Sequence, residues 1–455
     1  MMSSGSIHPA SFRDPAGFVY ERNGKYLRQV NQVYAEHYSQ LMDSGLYNEL
    51  TGKRMLLTHI ESNDDSQESS TAFKVLEPEQ LTFITYPYEW CFGQLKDAAL
   101  LTISLAHECL ERDMVLKDAT PFNIQFVDGL PVWIDTLSFE KFTGKEPWVA
   151  YRQFCSYFLF PLYLAHYKTI EPRRILQAWP DGIGAADTWN LLPGKTALKF
   201  HVLMHVYLQK SVSRKKSKPE KVSFSQPKML RLLWSLEQAV EKIKAPRARS
   251  AWSNYYTSTI PGQEYVRLKE AVLKQIISGE VLNNVLDLGC NNGHFSLLLA
   301  NYAKQVIATD SDEPSINSLY EQIKELEVRN LLPLVTDVAN PPGASGFRHA
   351  ERAAFHDRIK TETVSALALI HHLRISANIP LQLLASWFSE ISDMLIIEWV
   401  PKTDEKVQEL LSNRRDVFED YTQDQFESLF GLHFHISKKL AIGTTGRYIY
   451  LMKKR

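Results

Sequence analysis

Cysteine is scarce in this 455-residue chain: Cys91, Cys109, Cys155 and Cys290 each stand alone among apolar residues. With no C-x-x-C pair and no histidine at zinc-finger spacing, a disulfide framework and a cysteine metal site are both excluded as expectations, and the four read as reduced core thiols. Long apolar runs are missing too, since nothing approaches the roughly 18 residues a membrane helix needs. The opening stretch, MMSSGSIHPASFRDP, has neither a basic n-region nor an apolar h-region, so a cytoplasmic location is expected. An excess of either charge is also lacking. With 51 Lys plus Arg against 52 Asp plus Glu, the chain has no positive surplus to drive binding to DNA or RNA, which disfavours a nucleic-acid substrate. No internal repeat is found.

What is present is the composition of a globular protein, 44% hydrophobic and 23% charged. The length is too great for one ordinary core, and two domains are expected. Ser211 to Lys221, SVSRKKSKPEK, reads as a solvated linker between segments of different pattern. Met229, Leu232, Leu233, Leu236 and Val240 then recur at helical spacing, predicting a connecting helix over Pro227 to Ile243. The division expected is an N-terminal α+β domain over 1–210, a linker with its helix over 211–249, and an α/β domain over 250–455.

In that last domain, strand-like and helix-like segments alternate, the pattern of a parallel sheet covered by helices on both faces. The predicted strands are Asn284 to Leu288, Gln305 to Thr309, Leu332 to Thr336, Val364 to Ile370 and Met394 to Glu398. Leu432 to Ile442 and Arg447 to Met452 are separated only by a short glycine-bounded turn. They must therefore pair as an antiparallel hairpin, because a parallel crossover needs a dozen residues or more.

The segment VLDLGCNNGHFSLLLA, Val285 to Ala300, ends an apolar strand in an acid and turns through Gly289 and Gly293 into an apolar helix. Glycines let the backbone turn tightly and approach a ligand at the carboxyl end of a strand. The spacing is D-x-G-x-x-x-G, not the G-x-G-x-x-G of dinucleotide sites, and Asp287 precedes the first glycine, where it suits a cationic amino-acid group. The second strand ends in Asp310, placed to accept hydrogen bonds from two ribose hydroxyls, with Asp312 a nearby rival. The third ends in Asp337, suited to an adenine amine. Three acids at three successive strand ends make one constellation, although each by itself is also a plausible helix cap.

These residues resemble the motif positions of class I S-adenosylmethionine-dependent methyltransferases. The resemblance spans about 200 residues, and the segments ALALIHHL, IIEWVPK and DVFEDYTQDQFE are similar to those of a bacterial, nodulation-protein-like group. It implies a seven-stranded Rossmann-like sheet with a final antiparallel hairpin, S-adenosyl-L-methionine as cofactor, and cofactor contacts from Asp287, Gly289, Cys290, Asn291, Gly293, Asp310, Ser311, Asp337 and Val338. A small-molecule or carrier-bound methyl acceptor is implied above the fourth and fifth strands, with no metal. An S-adenosylmethionine-binding sensor or scaffold is the alternative of another class.

Methyl transfer is an in-line displacement in which the protein positions the acceptor and, where needed, removes its proton. His371 and His372, expected at the end of the fourth strand, with His371 the preferred one, and Glu398, at the end of the fifth, are the candidate catalytic groups, since histidine titrates near neutrality. Asn340-Pro341-Pro342 follows the third strand, not the fourth, and reads as a turn instead of the N-P-P motif of amine-methylating enzymes. Trp252, Tyr255 and Tyr256 are candidates to cover the cofactor or wall the acceptor pocket. Arg414, Arg415 and Asp416 are candidates to meet an anionic acceptor.

The N-terminal half has a helical pattern over Gln94 to Glu111, followed by LKDATPFNIQFVDGLPVWIDTLSFE. This resembles the catalytic segment of protein kinases and aminoglycoside phosphotransferases. Asp118 and Asn123 keep the D-x-x-x-x-N spacing, and Asp135 follows a short hairpin where a metal-binding acid would stand. Leu116 replaces the usual histidine, Asp-Thr-Leu replaces Asp-Phe-Gly, and neither a glycine-rich phosphate loop nor a strand lysine is evident. A degenerate kinase-like lobe is expected, with a nucleotide-binding, bifunctional protein as the alternative.

Overall fold

The computed structural model describes residues 6–62, 71–144, 147–213, 224–246, 260–412 and 414–455. Trp252, Tyr255 and Tyr256, and most of the basic linker, lie outside the described residues. The chain forms two units, one of Met1–Ala248 with Ala344–Arg352, the other of Arg249–Gly343 with Ala353–Arg455.

The second unit is built from apolar runs short enough to be strands and buried on both sides. Numbered within it, these are β1 (Leu282–Leu288), β2 (Ala303–Asp310), β3 (Leu331–Val335), β4 (Thr361–Ala366), β5 (Ser392–Trp399), β6 (Phe434–Ala441) and β7 (Tyr448–Lys454). They form one seven-stranded sheet in the order β3-β2-β1-β4-β5-β7-β6. β1 to β5 are mutually parallel, whereas β7 runs antiparallel to both β5 and β6. Every residue of β3 is buried, as expected of a parallel strand with helices over both faces. At the edge, β6 buries Phe434, then alternates exposed and partly buried positions, and places Lys438 and Lys439 beside a bulge, which blunts further strand pairing.

Three helices frame the region of interest: α1 (Ile260–Ile277) before β1, α2 (His294–Ala300) after it, and α3 (Glu313–Glu325) after β2. The chain leaves β1 toward β2 and β3 on one side and later returns to β4 on the other. The carboxyl ends of β1 and β4 thus flank the point where strand order reverses, where open α/β sheets form a crevice.

One strand differs from its sequence reading. The run Val364 to Ile370 was expected to be extended throughout, but β4 stops at Ala366 and Ala368 adopts a left-handed φ of 53°. Ile370 and His371 begin a helical segment that continues as a π-helical turn over His372–Ser376. Leu367, Leu369 and Ile370 are buried in this arrangement too, so an apolar run alone does not distinguish the two conformations. The histidine pair therefore sits on the helical turn after β4, not at the strand's end.

In the first unit, Gly17–Arg22 and Lys25–Asn31 form a hairpin through Asn23 and Gly24, both at positive φ, the backbone an Asn-Gly turn supplies. They belong to a five-stranded antiparallel sheet with Ser6–Ile7, Ala72–Pro78 and His59–Glu61. The long helix is Phe92–Leu110, and the helix expected to connect the domains, Gln226–Lys242, belongs to this unit. Among the described residues, no helix is long and apolar enough to cross a membrane.

Candidate functional site

At the carboxyl end of β1, Gly289 has φ +71° and Gly293 has φ +77°, a region that side chains rarely adopt. A Cβ on Gly289 would lie 2.9 Å from Leu369 Cδ1, and one on Gly293 would lie 2.3 Å from Leu319 Cδ1. The first glycine thus lets the turn after β4 approach the loop, and the second lets α3 approach α2. The loop is pinned to β2 by two hydrogen bonds, from the N–H groups of Gly289 and Cys290 to the carbonyl of Thr309, at 2.8 and 3.0 Å.

The acid at the end of β2 completes this cradle. Asp310 Oδ2 accepts from the N–H of Asn291 at 2.8 Å, and Oδ1 accepts from the N–H of Asp312 at 2.9 Å. Asp312, the rival acid, spends its own carboxylate as the cap of α3, accepting from Ser315 N–H at 3.1 Å. The sequence alone offered both as the hydroxyl-binding acid, and local hydrogen bonding separates them.

A cavity of about 370 Å³ opens here, lined among others by Gly289, Asn291, Asp310, Ser311, Asp337 and Val338. Its opposite wall comes from the turn and helix after β4, including Leu367, Leu369, His372 and Leu373. A smaller recess of about 20 Å³ adjoins it, sharing Gly289, Asn291 and Leu367 and adding Asp287, Cys290 and Lys269. Eight of the nine predicted cofactor residues line one cavity or the other. Gly293 lines neither and instead starts α2.

Asp287 is buried beneath the recess, where Ser296 Oγ donates to its Oδ2 at 2.6 Å. Burial pushes its carboxyl up to about 6, against the opposing effect of the Ser296 and Ser365 hydroxyls and the Lys269 charge. Burial also raises Asp310, while the loop N–H groups pull it back.

The predicted catalytic residues separate. His372 lines the large cavity. His371 is fully buried and lines neither cavity, and its two ring nitrogens have no hydrogen-bond partner among the described residues. Burial, followed by the nearby His372, Arg447 and Lys269, drives its basicity well below the ordinary imidazole range. Glu398 also has no exposed surface: Lys269 Nζ is 2.6 Å from Oε2, while Tyr265 Oη donates to Oε1 at 2.7 Å and Arg447 Nη1 at 3.2 Å. Although burial raises Glu398, the Lys269 and Arg447 charges more than offset it and hold it below the usual carboxylate value. Arg447 in turn grips Asp404 with two hydrogen bonds of 2.8 and 2.9 Å.

The Asn340-Pro341-Pro342 segment lies in a turn closed by Asn340 N–H to the Asp337 carbonyl at 3.0 Å. Arg414 donates to the carbonyl of Ile375, and Asp416 pairs with Lys402 at 2.7 Å. Both ends of the Arg-Arg-Asp group are thus engaged within the fold. Lys269 and the helical turn after β4 were missed as site elements. The lysine has a sequence signal, because it stands one turn before Leu273 on the buried stripe of an amphipathic helix.

In the first unit, Asp118 precedes a short 3-10 turn at Pro121–Asn123 that Asn123 ends, and Asp135 follows the hairpin Ile124–Val127 with Leu130–Trp133. Asp135 is salt-bridged through Oδ1 to Arg28, from the strand Lys25–Asn31, and accepts Ser138 Oγ on Oδ2 at 2.5 Å. Burial, then Asp135, pushes Asp118 up to about 6. Burial opposes the ionisation of Asp135, but Arg28 and Ser138 more than compensate and keep it low.

The family model described as "Tellurite resistance protein TehB" matches residues 254–342, a span that includes Asp287, Gly289, Asp310 and Asp337. Over 98% of its length the chain is 29% identical to "Nodulation protein NoeA" of Rhizobium meliloti (strain 1021), covering 95% of that protein. Among solved structures, the chain is similar to the magnesium protoporphyrin IX methyltransferase ChlM from Synechocystis PCC 6803 with bound SAH. The identity is 17%, with 44% of this chain and 89% of that one covered, at a TM-score of 0.32. It is also similar to the N-methyltransferase NodS from Bradyrhizobium japonicum WM9 in complex with S-adenosyl-L-homocysteine. Here the identity is 11% over 45% of this chain and 93% of that one, at a TM-score of 0.32.

Proposed function

We propose that this chain is an enzyme that transfers a methyl group from S-adenosyl-L-methionine to a small-molecule or carrier-bound acceptor, acting in the cytoplasm. The observation that carries this reading is the convergence of Asp287, the Gly289 loop, Asp310 and Asp337 on adjoining cavities at the switch point of a 3-2-1-4-5-7-6 sheet. The donor set fits that cofactor. Asp310 retains acceptor capacity on both oxygens for a vicinal diol, Asp337 faces the same cavity as an exposed acceptor for an exocyclic amine, and Asp287 supplies an anionic partner for an ammonium.

The bound sulfonium would supply an electrophilic methyl carbon. The chain's own contribution is positioning and proton management. His372 is the residue we assign to the acceptor side, as the imidazole that lines the large cavity. His371 and Glu398, enclosed behind it, are assigned to supporting the turn after β4 and the end of β5. The turn after β4, through Leu367, Ala368 and Leu369, walls the same cavity.

The test is calorimetric titration of the purified protein with S-adenosylhomocysteine and, separately, with NADH. Saturable binding of the first and none of the second is expected. Binding of NADH without S-adenosylhomocysteine overturns the reading.

A further inference from the structure

In the first unit, the helical segment over 200–213, with a π-helical middle at Leu203–Tyr207, is apolar on two faces. Its inner face buries Val202 and Val206 and holds His205 between Tyr151 Oη at 2.9 Å and Ser235 Oγ at 3.1 Å. These bonds fix which side of the helix faces the core. The outer side carries Phe200, Leu203, Met204, Tyr207 and Leu208, at the i, i+3, i+4, i+7, i+8 spacing of a single stripe. All five are exposed, and Leu198, just before them, is 91% exposed. A stripe of this kind gains free energy only when something covers it.

Charge says what that cover is. Residues 188–213 contain no aspartate or glutamate, and their full charges are Lys195, Lys199 and Lys210. Lys195 and Lys199 are exposed on the chain leading into the stripe. At its other end, Lys210 Nζ lies 5.2 Å from the centroid of the Trp189 ring, which is 5.1 Å from the ring of Tyr207. An apolar stripe bordered by lysines and a Trp–Tyr pair has the chemistry of a helix lying in a bilayer interface. The apolar side chains enter the acyl boundary, the aromatic rings sit at headgroup level, and the ammonium groups meet anionic headgroups. A second copy on a twofold axis would instead set these lysines against their own counterparts, and lysine is depleted at protein interfaces in general.

We propose that this face of the first unit is a peripheral docking surface for a bilayer that bears anionic lipids, lying on the membrane without crossing it. The surface belongs to the first unit alone, so it stands whether or not the second unit transfers methyl groups.

The experiment is co-sedimentation of the full-length protein with vesicles of phosphatidylcholine alone and of phosphatidylcholine with about one-third phosphatidylglycerol, at low and high salt. Two double variants, Leu198→Ser with Phe200→Ser and Lys195→Gln with Lys199→Gln, are run beside the wild type, with thermal melting and sedimentation velocity of each without lipid. The wild type is expected to partition onto the anionic vesicles at least about 10-fold more strongly than onto the neutral ones, an advantage that shrinks as salt rises. The lysine pair is expected to cost on the order of 10- to 30-fold in that partitioning, and the apolar pair at least about 10-fold. Melting should be unchanged in both, because all four side chains are exposed. Wild-type failure to bind anionic vesicles overturns the proposal. So does undiminished binding by the folded apolar variant, since charge alone, that of the basic linker included, then suffices. Should the apolar variant not fold, undiminished binding by the lysine variant overturns it. A lipid-free dimer that the apolar substitutions dissociate assigns the face to a second copy and overturns it as well.

Discussion

The carboxylate of Asp310 accepts the backbone N–H of Asn291, 19 residues earlier, at 2.8 Å. Through this bond the end of the second strand fixes the loop that follows the first. The acid that faces the cavity is therefore also the acid that shapes it.

Asp310→Ala is expected to raise the dissociation constant for S-adenosylhomocysteine roughly 100-fold or more, through loss of two charge-assisted hydrogen bonds to the ligand and of the loop anchor. Asp312→Ala is expected to cost about 1 kcal/mol of stability, as a lost helix cap does, and to leave affinity nearly unchanged. Titration calorimetry and urea denaturation of the two variants separate binding acid from cap. Equal effects on affinity would refute the distinction.

Gly289→Arg is expected to abolish cofactor binding, because its backbone is at φ +71° and Leu369 stands 2.9 Å from the first added atom. Gly293→Ala strikes packing instead. A left-handed φ and a contact of 2.3 Å with Leu319 are together expected to cost about 2–4 kcal/mol. Chemical denaturation should show this as a shifted midpoint with an unchanged slope.

The Asp287 carboxyl, raised by burial to about 6, predicts two pH effects of opposite sign. Between about pH 4 and 6 the folded state holds a proton that the unfolded state has released, so this group's contribution to stability falls as pH rises through that window. A ligand ammonium favours the ionised form, so affinity for S-adenosylhomocysteine should rise over the same interval and level off above it. Asp287→Asn should flatten both profiles. A pH-independent affinity in the wild type would remove Asp287 from the ammonium site.

His371→Leu is expected to raise the melting temperature or leave it unchanged, because a buried imidazole without partners among the described residues is replaced by an apolar side chain that needs none. His372→Ala should leave melting and S-adenosylhomocysteine affinity nearly intact while lowering turnover once an acceptor is in hand. A melting temperature several degrees lower in His371→Leu would show that the ring has an essential partner.

Magnesium-ATP is expected to give no binding heat with the wild-type protein. Asp135, where the kinase-like reading places a metal ligand, already has one oxygen on Arg28 and the other on Ser138. A guanidinium salt-bridged to that carboxylate leaves it poorly disposed to take a divalent cation. Saturable magnesium-dependent binding would restore the two-activity interpretation.

The sheet of the second unit was legible in the sequence because its signals are local. Apolar runs of strand length, glycines at strand ends and a turn too short for a crossover set the strand count, the parallel alternation and the closing hairpin. Asp310 at the end of β2, Asp337 two residues past the end of β3, and the glycine loop were legible for the same reason. The end of β4 was not, since Leu367, Leu369 and Ile370 are buried as a turn and helix just as they would be in a strand. Only packing around Ala368, at its left-handed φ, decides the matter.

Tertiary structure alone decided the roles of the remaining charges. Periodicity gives no reason to connect Lys269, Glu398 and Arg447, which are far apart in the chain, yet they share one buried cluster. Nor can it tell that His372 lines the cavity while its neighbour is enclosed, or that Arg28 reaches Asp135. Sequence determines which segments form the sheet, since that depends on neighbours in the chain. Burial, charge pairing and access depend on neighbours in space, and the folded chain sets those.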